Sequence, residues 1–306
     1  MQATLNTSIR FNGQGLHSGL PAQMMVRPAP ADHGISFRRT DVAADDAFLP
    51  ARWDLVEQTP LCTRLVNADG VSVSTIEHVM AALVGCGVHN ALIEIDGPEV
   101  PILDGSALPF VQAIVETGLA RTSAPQRAIE ILRPVKVETA TARAALHPAD
   151  TLYIDFEIDF DEAAIGRQTK SLCLANGAFV RDLSNSRTFC RFSDVQAMRA
   201  NGLAQGGTLE NAVVFDGDRV LSPGGMRHRD EPVRHKMLDA LGDLALAGAP
   251  ILGRYTGHKA GHAVTNTLLR ALFDQPDAWR WVTLTPAQQA QLPGVGVSRA
   301  DLDAVA

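Results

Sequence analysis

The chain has 306 residues, 46% hydrophobic and 20% charged, with a formal net charge of −7 and a pI near 5.7. Its densest basic run is "RHRD" at 227–230, which argues against an extended nucleic-acid surface, and no stretch approaches the ~18 apolar residues of a membrane span. Cys62, Cys86, Cys173 and Cys190 are scattered and form no C-x-x-C, so reduced thiols in a cytoplasmic protein are expected rather than disulfides or a thiolate zinc site.

The amino terminus, "MQATLNTSIRFNG", is polar and alternating, without the apolar region of a signal peptide. "FNGQGLHSG" (11–19) lacks the spacing of a P-loop or a Rossmann fingerprint. "AQMMVRPAPADHGISF" (22–37) predicts a strand, a Pro-Ala turn and a second strand. In "STIEHVMAALVG" (74–85), Ile76, Val79, Met80, Leu83 and Val84 recur as on the buried face of a helix, and His78 falls about 200° round from Ile76. "STIE" also reads as a capping box, with Ser74 as N-cap and Glu77 at N3. A strand, "ALIEI" (91–95), and a second helix, "ALPFVQAIVETG" (107–118), follow. "LDGSALP" (103–109) makes the turn into that helix, with Pro109 in its first turn.

The most polar break, "ARTSAPQR" (120–127), reads as an interdomain linker, dividing the chain into domains 1–122 and 123–306. The second part repeats the first. "RAALHPADTLYIDF" (143–156) again predicts strand, turn and strand, and "HKMLDALG" (235–242) matches "HVMAALVG" (78–85) in His, Met, Leu and Gly. "PILGRY" (250–255) and "HAVTNTLLRALF" (262–273) supply the next strand and helix, while "LSPGGMR" (221–227) is uninformative. The economical interpretation is an internal duplication of an α+β unit, a helix layer on a β-sheet.

In "VRHKMLDALGD" (233–243), Val233, Met237 and Leu241, with Leu244, gather on one helical face. His235, Asp239 and Asp243 line the opposite side at intervals of four. Alone, that stripe is what a solvated polar face looks like. But both halves carry a helix that turns a histidine away from its own core. If the helix layers face each other, His78 meets His235 and Asp239 between the domains. Two histidines and an aspartate suit a catalytic zinc ion, which keeps its fourth position open. Glu77, beside His78, is then either a helix cap or a general base. In "TGHKAGHAVTN" (256–266), Gly257 and Gly261 predict a loop, with His258 outside the site and His262 at the start of a helix. His262 could act as a general acid, its imidazolium held by Asp243.

The set "QGLHSG", "LCTRL", "STIEHVMAAL", "PILDGSALPF", "SRTFC", "VRHKMLDALGDL" and "GHKAGH" strongly resembles the LpxC family, the UDP-3-O-acyl-N-acetylglucosamine deacetylases of lipid A biosynthesis, in order from about 4 to 275. The resemblance implies an enzyme with one zinc ion that hydrolyses the N-acetyl group of UDP-3-O-(3-hydroxyacyl)-N-acetylglucosamine. It implies two α+β domains with their helices sandwiched between the sheets and the active site at the domain interface. A cytoplasmic monomer, without nucleic acid or stable membrane insertion, is expected. By the same resemblance His78, His235 and Asp239 hold the metal, Glu77 is the base, and His262 is the acid with Asp243 behind it. Thr188 in "SRTFC" bonds the oxyanion, Lys236 reaches the nucleotide phosphate and Phe160 lies against uracil. Leu16, Leu61, Cys62, Phe189, Val195, Gly207 and Val214 line an acyl passage, Cys62 beside it or beside the metal.

The sequence departs from the family pattern at Cys190, often Gly, at Arg191, where the passage mouth is commonly apolar, and at Leu209, Phe in some members. These positions bear on acyl length rather than on chemistry. Residues 276–306 lie outside the resemblance. Two other readings stand beside it: a non-catalytic nucleotide-sugar-binding relative, and a zinc amidohydrolase acting on another acylated amine. The absence of H-E-x-x-H weighs against a peptidase.

Overall fold

In the computed structural model, which describes residues 1–305 except 44, 46 and 60, the chain traces one path twice. The first pass begins with β1 (Ala3–Leu5), β2 (Ile9–Gln14), β3 (Pro21–Pro28), β4 (Ile35–Arg39) and β5 (Phe48–Pro50). A small sheet follows, of β6 (Val56–Glu57), β7 (Arg64–Val66) and β8 (Ser72–Ser74). Then come α1 (Glu77–Gly85), β9 (Ala91–Ile95), α2 (Leu108–Thr117) and β10 (Leu119–Arg121).

The second pass opens with β11 (Arg127–Ile131), β12 (Val135–Glu138), β13 (Arg143–Pro148), β14 (Leu152–Asp159) and β15 (Arg167–Cys173). An insertion contains α3 (Ala178–Asp182), β16 (Phe189–Arg191), α4 (Phe192–Ala200), β17 (Val213–Asp216) and β18 (Arg219–Val220). It leads into α5 (Glu231–Leu244), β19 (Ile251–His258) and α6 (His262–Phe273). β20 (Trp279–Thr283), α7 (Pro286–Gln289) and α8 (Arg299–Asp303) finish the fold.

The duplication is visible in the sheet order. The first sheet runs β2-β3-β9-β4-β5, antiparallel throughout except for the parallel pair β9 and β4. In the second, β12-β13-β19-β14-β15 repeats the order and the sense of every pair, again with one parallel pair, β19 and β14. A parallel pair needs a crossover connection, and α1 and α5 lie on the two crossovers. Each strand-turn-strand predicted from sequence is thus two strands held apart by a third, β9 or β19. β11 and β20 widen the second sheet to seven strands.

α1 packs on α5, and α5 packs on β14 and β15. The apolar side of α1, Val79, Met80 and Leu83, joins Phe37 and Ile93 of the first sheet in one hydrophobic cluster. The helix layers therefore stand between the sheets. The polar stripe of α5 is not solvated: His235, Asp239 and Asp243 are only 3–4% exposed, nearly as deeply placed as Val233 and Leu241 on the other side.

Three local expectations change. Residues 120–127 are not a free linker, because β10 pairs with β1 and Gln126 is buried. His258 lies in a strand, not a loop. Gly257 serves close packing there, since a β-carbon would press on the Phe156 ring at 2.8 Å. Ser74 does not cap α1: it ends β8, and Thr75 takes φ = 58° before the helix begins. Among the described residues no helix is long and apolar enough to cross a membrane.

Candidate metal centre and active site

His78 enters in the first turn of α1, and His235 and Asp239 lie one turn apart on α5. Asp239 Oδ1 is 3.6 Å from His78 Nε2 and 3.3 Å from His235 Nε2. One ligand atom from each residue falls within 4.8 Å of the others. Asp239 Oδ1 is buried and makes no hydrogen bond among the described residues. An orphaned carboxylate oxygen facing two imidazole nitrogens fits a cation-binding site.

Protonation suits that role. Burial drives His235 down to about 3, against a smaller upward pull from Asp239, so its imidazole is neutral and free to ligate. His235 Nδ1 bonds the Ser186 carbonyl at 3.0 Å, which turns Nε2 toward Asp239. Burial alone would raise Asp239, but the positive charge beside it, above all the Lys236 ammonium at 2.6 Å, holds it well below the usual carboxylate range.

Glu77 and His262 flank the triad. Burial raises the Glu77 carboxyl, and the neighbouring histidines only partly offset it. Its Oε2 accepts from the Thr63 amide at 3.0 Å, leaving Oε1 3.8 Å from His262 Nε2. His262 opens α6, and its Nδ1 bonds Asp243 Oδ2 at 2.9 Å. Burial would lower His262, but the Asp243 and Glu77 carboxylates outweigh it and lift it to about 9. At neutral pH the imidazolium therefore carries a proton on Nε2, facing Glu77 and Asp239. Thr63 ties the two carboxylates together: its hydroxyl donates to Asp243 Oδ1 while its amide holds Glu77.

These groups open into a cavity of about 500 Å³. Its walls include Thr188, Lys236, Phe160, Leu16, Leu61, Phe189, Val195, Gly207 and Val214, together with Cys190 and Arg191. The main chain of Thr188 is pinned on both sides, to Gly105 and Val213. Phe160 packs edge-on against Phe189. Lys236 is engaged within the site, its Nζ 2.6 Å from Asp239 Oδ2. Arg191 forms a two-pronged pair with Asp194 at 2.6 and 3.0 Å.

One expected placement differs. Cys62 is buried but is not part of the cavity wall. Burial, then the charge of Glu77, pushes its thiol up to about 11, so it packs as a neutral group. Asp243 stands behind His262, off the cavity wall.

Two residues of the site carry no signal of their own in the sequence. Thr63, the link between the carboxylates, was legible only as part of "LCTRL". His17, in "QGLHSG", lies on the cavity wall with both ring nitrogens buried and, among the described residues, unbonded. Its main-chain amide is fixed to Glu99 at 2.8 Å.

Residues 2–274 match the LpxC family, described as UDP-3-O-acyl N-acetylglycosamine deacetylase. A UDP-3-O-acyl-N-acetylglucosamine deacetylase of Phenylobacterium zucineum is 52% identical over 279 residues, covering 91% of this chain and 95% of its own. Proteins of the same name from Shewanella frigidimarina and Shewanella oneidensis are 44% and 46% identical, covering 95% and 92% of both chains.

Proposed function

This chain belongs to the UDP-3-O-acyl-N-acetylglucosamine deacetylase family, and on that premise we propose that it hydrolyses the N-acetyl group of UDP-3-O-acyl-N-acetylglucosamine in lipid A biosynthesis. The observation that carries the reading is the orphaned Asp239 Oδ1 between two imidazoles, with a carboxylate and an imidazolium at its edge. The residues fit one zinc ion, held by His78, His235 and Asp239. When bound, the ion supplies Lewis acidity to the amide carbonyl and to water.

The protein's own groups move the protons. Glu77 takes a proton from the water whose oxygen attacks the carbonyl carbon. The C–N bond then breaks, and His262 Nε2 gives its proton to the departing nitrogen, leaving acetate and a free amine. Asp243 keeps that imidazole charged beforehand. Thr188 offers its hydroxyl to the carbonyl oxygen as negative charge grows there. Lys236 keeps two N–H donors beyond its bond to Asp239, available to a substrate phosphate. Phe160 lies against the uracil, and Leu16, Leu61, Phe189, Val195, Gly207 and Val214 receive the acyl chain. One chain supplies both halves of the site, which supports a working monomer.

The test is acetate release from UDP-3-O-acyl-N-acetylglucosamine by metal-depleted protein and by the same protein reloaded with zinc. Release that depends on the metal is expected. Tight substrate binding with no release by the reloaded protein would instead mark a nucleotide-sugar-binding relative.

A further inference from the structure

A second cavity lies between the halves of the fold, separate from the metal centre. Its volume is about 360 Å³, within the roughly 300–1,000 Å³ of small-molecule sites. Apolar walls come from the far ends of the two helices that carry the metal triad. Val84 lies two turns beyond His78 on α1, and Leu241 and Leu244 follow Asp239 on α5. Ile35 and Ile251, from the two sheets, add to the apolar wall.

The polar part is specific. The Arg127 guanidinium lies over the Trp281 ring, 4.6 Å from its centroid. Both residues line the cavity, and Arg127 has no carboxylate partner among the described residues. Arg52, also on the wall, is already committed to Asp54 at 2.6 Å. Beside Arg127, Gln126 is 5% exposed and lines the same cavity. Its Nε2 donates to the Arg127 carbonyl at 3.0 Å, while its Oε1 is buried without a donor among the described residues. A buried acceptor that the protein leaves unpaired is costly, so a ligand that brings a donor to it is favoured.

We propose that this cavity is a second ligand site, distinct from the metal centre, which takes an amphiphilic carboxylate bearing a hydroxyl near its head group. The apolar tail lies between the ends of α1 and α5, the carboxylate meets Arg127, and the hydroxyl donates to Gln126 Oε1. One uncommitted guanidinium, with Asp32 also on the wall, suits a monoanion rather than a phosphate dianion. The site stands on its own residues and does not depend on the deacetylase reading.

The probe is 3-hydroxydecanoate, titrated calorimetrically into the full-length protein. Binding should weaken at least tenfold in Arg127→Gln, an exposed position, and in Ala249→Phe, which fills the cavity. It should survive Val214→Trp, which obstructs the metal-centre cavity. Decanoate, lacking the donor, should bind several-fold more weakly than 3-hydroxydecanoate. Loss in Val214→Trp with no change in Arg127→Gln would mean that the amphiphile enters only the metal-centre cavity, and the proposal would fall. It would fall equally if neither fatty acid bound at millimolar concentration.

Discussion

Gly242 of α5 lies against the main-chain carbonyl of Glu77 on α1, so closely that a β-carbon at 242 would overlap it. The two helices therefore touch backbone to backbone beside the site. An alanine at a helical glycine ordinarily gains up to about 1 kcal/mol in propensity, whereas overpacking costs about 1–3 kcal/mol. Here the obstacle is main chain, which cannot rotate away, so the clash decides the sign. Gly242→Ala should lower the denaturant midpoint and also weaken metal binding, by parting His78 from Asp239. A variant as stable as the parent, with unchanged metal affinity, would show that the helices separate freely.

His78→Ala and Asp239→Ala should each lose the metal while keeping the native circular dichroism. His258→Ala should retain it, because that imidazole ends β19 with its Nδ1 3.2 Å from Glu157. Metal content by atomic spectroscopy after dialysis decides the matter. Full retention in both of the first two variants would remove the triad from consideration.

The dependence of kcat/KM on pH should be bell-shaped. The acidic limb belongs to Glu77, which must be ionised to accept a proton and whose burial moves that limb above the ordinary carboxylate value. The basic limb belongs to His262, which must hold a proton and loses it only near pH 9. Asp243→Asn removes the nearest carboxylate favouring the imidazolium, so the basic limb should move to lower pH. His262→Ala should cost roughly 10²–10⁴-fold in rate with the metal still bound. A basic limb that stays in place in both variants would assign the acid elsewhere.

Arg187 and Glu231 form a buried pair, Nε to Oε1 at 3.0 Å, with side chains 6% and 1% exposed. Glu231 also accepts the Arg187 and Arg227 amides, so it anchors the segment carrying Ser186 and Thr188 to the start of α5. Ser186 in turn orients His235. Glu231→Gln should weaken metal binding by roughly 10–100-fold, as loss of an outer-shell support does. Competition with a chelator measures it. Unchanged affinity would make the pair purely structural.

The local sequence determined the helices, the alternating strands and the doubled plan, because periodicity and turn chemistry act within a few residues. It also determined which side of α5 carries His235, Asp239 and Asp243. It could not say whether that side meets water or protein. Tertiary structure decided this when Gly242 let α1 and α5 come together and sealed the stripe at a few per cent exposure. The same holds for Glu77, a helix cap by pattern, whose carboxylate is instead held by Thr63 from a neighbouring segment. Cys62, grouped by motif with the cavity wall, is buried next to the wall and not on it, within reach of the Glu77 charge. Charge and pKa follow desolvation and the nearest opposite charge, and both are set by segments far apart in the chain. Asp243 and Thr63 are separated by 180 positions yet share a hydrogen bond, a distance over which no local pattern carries information.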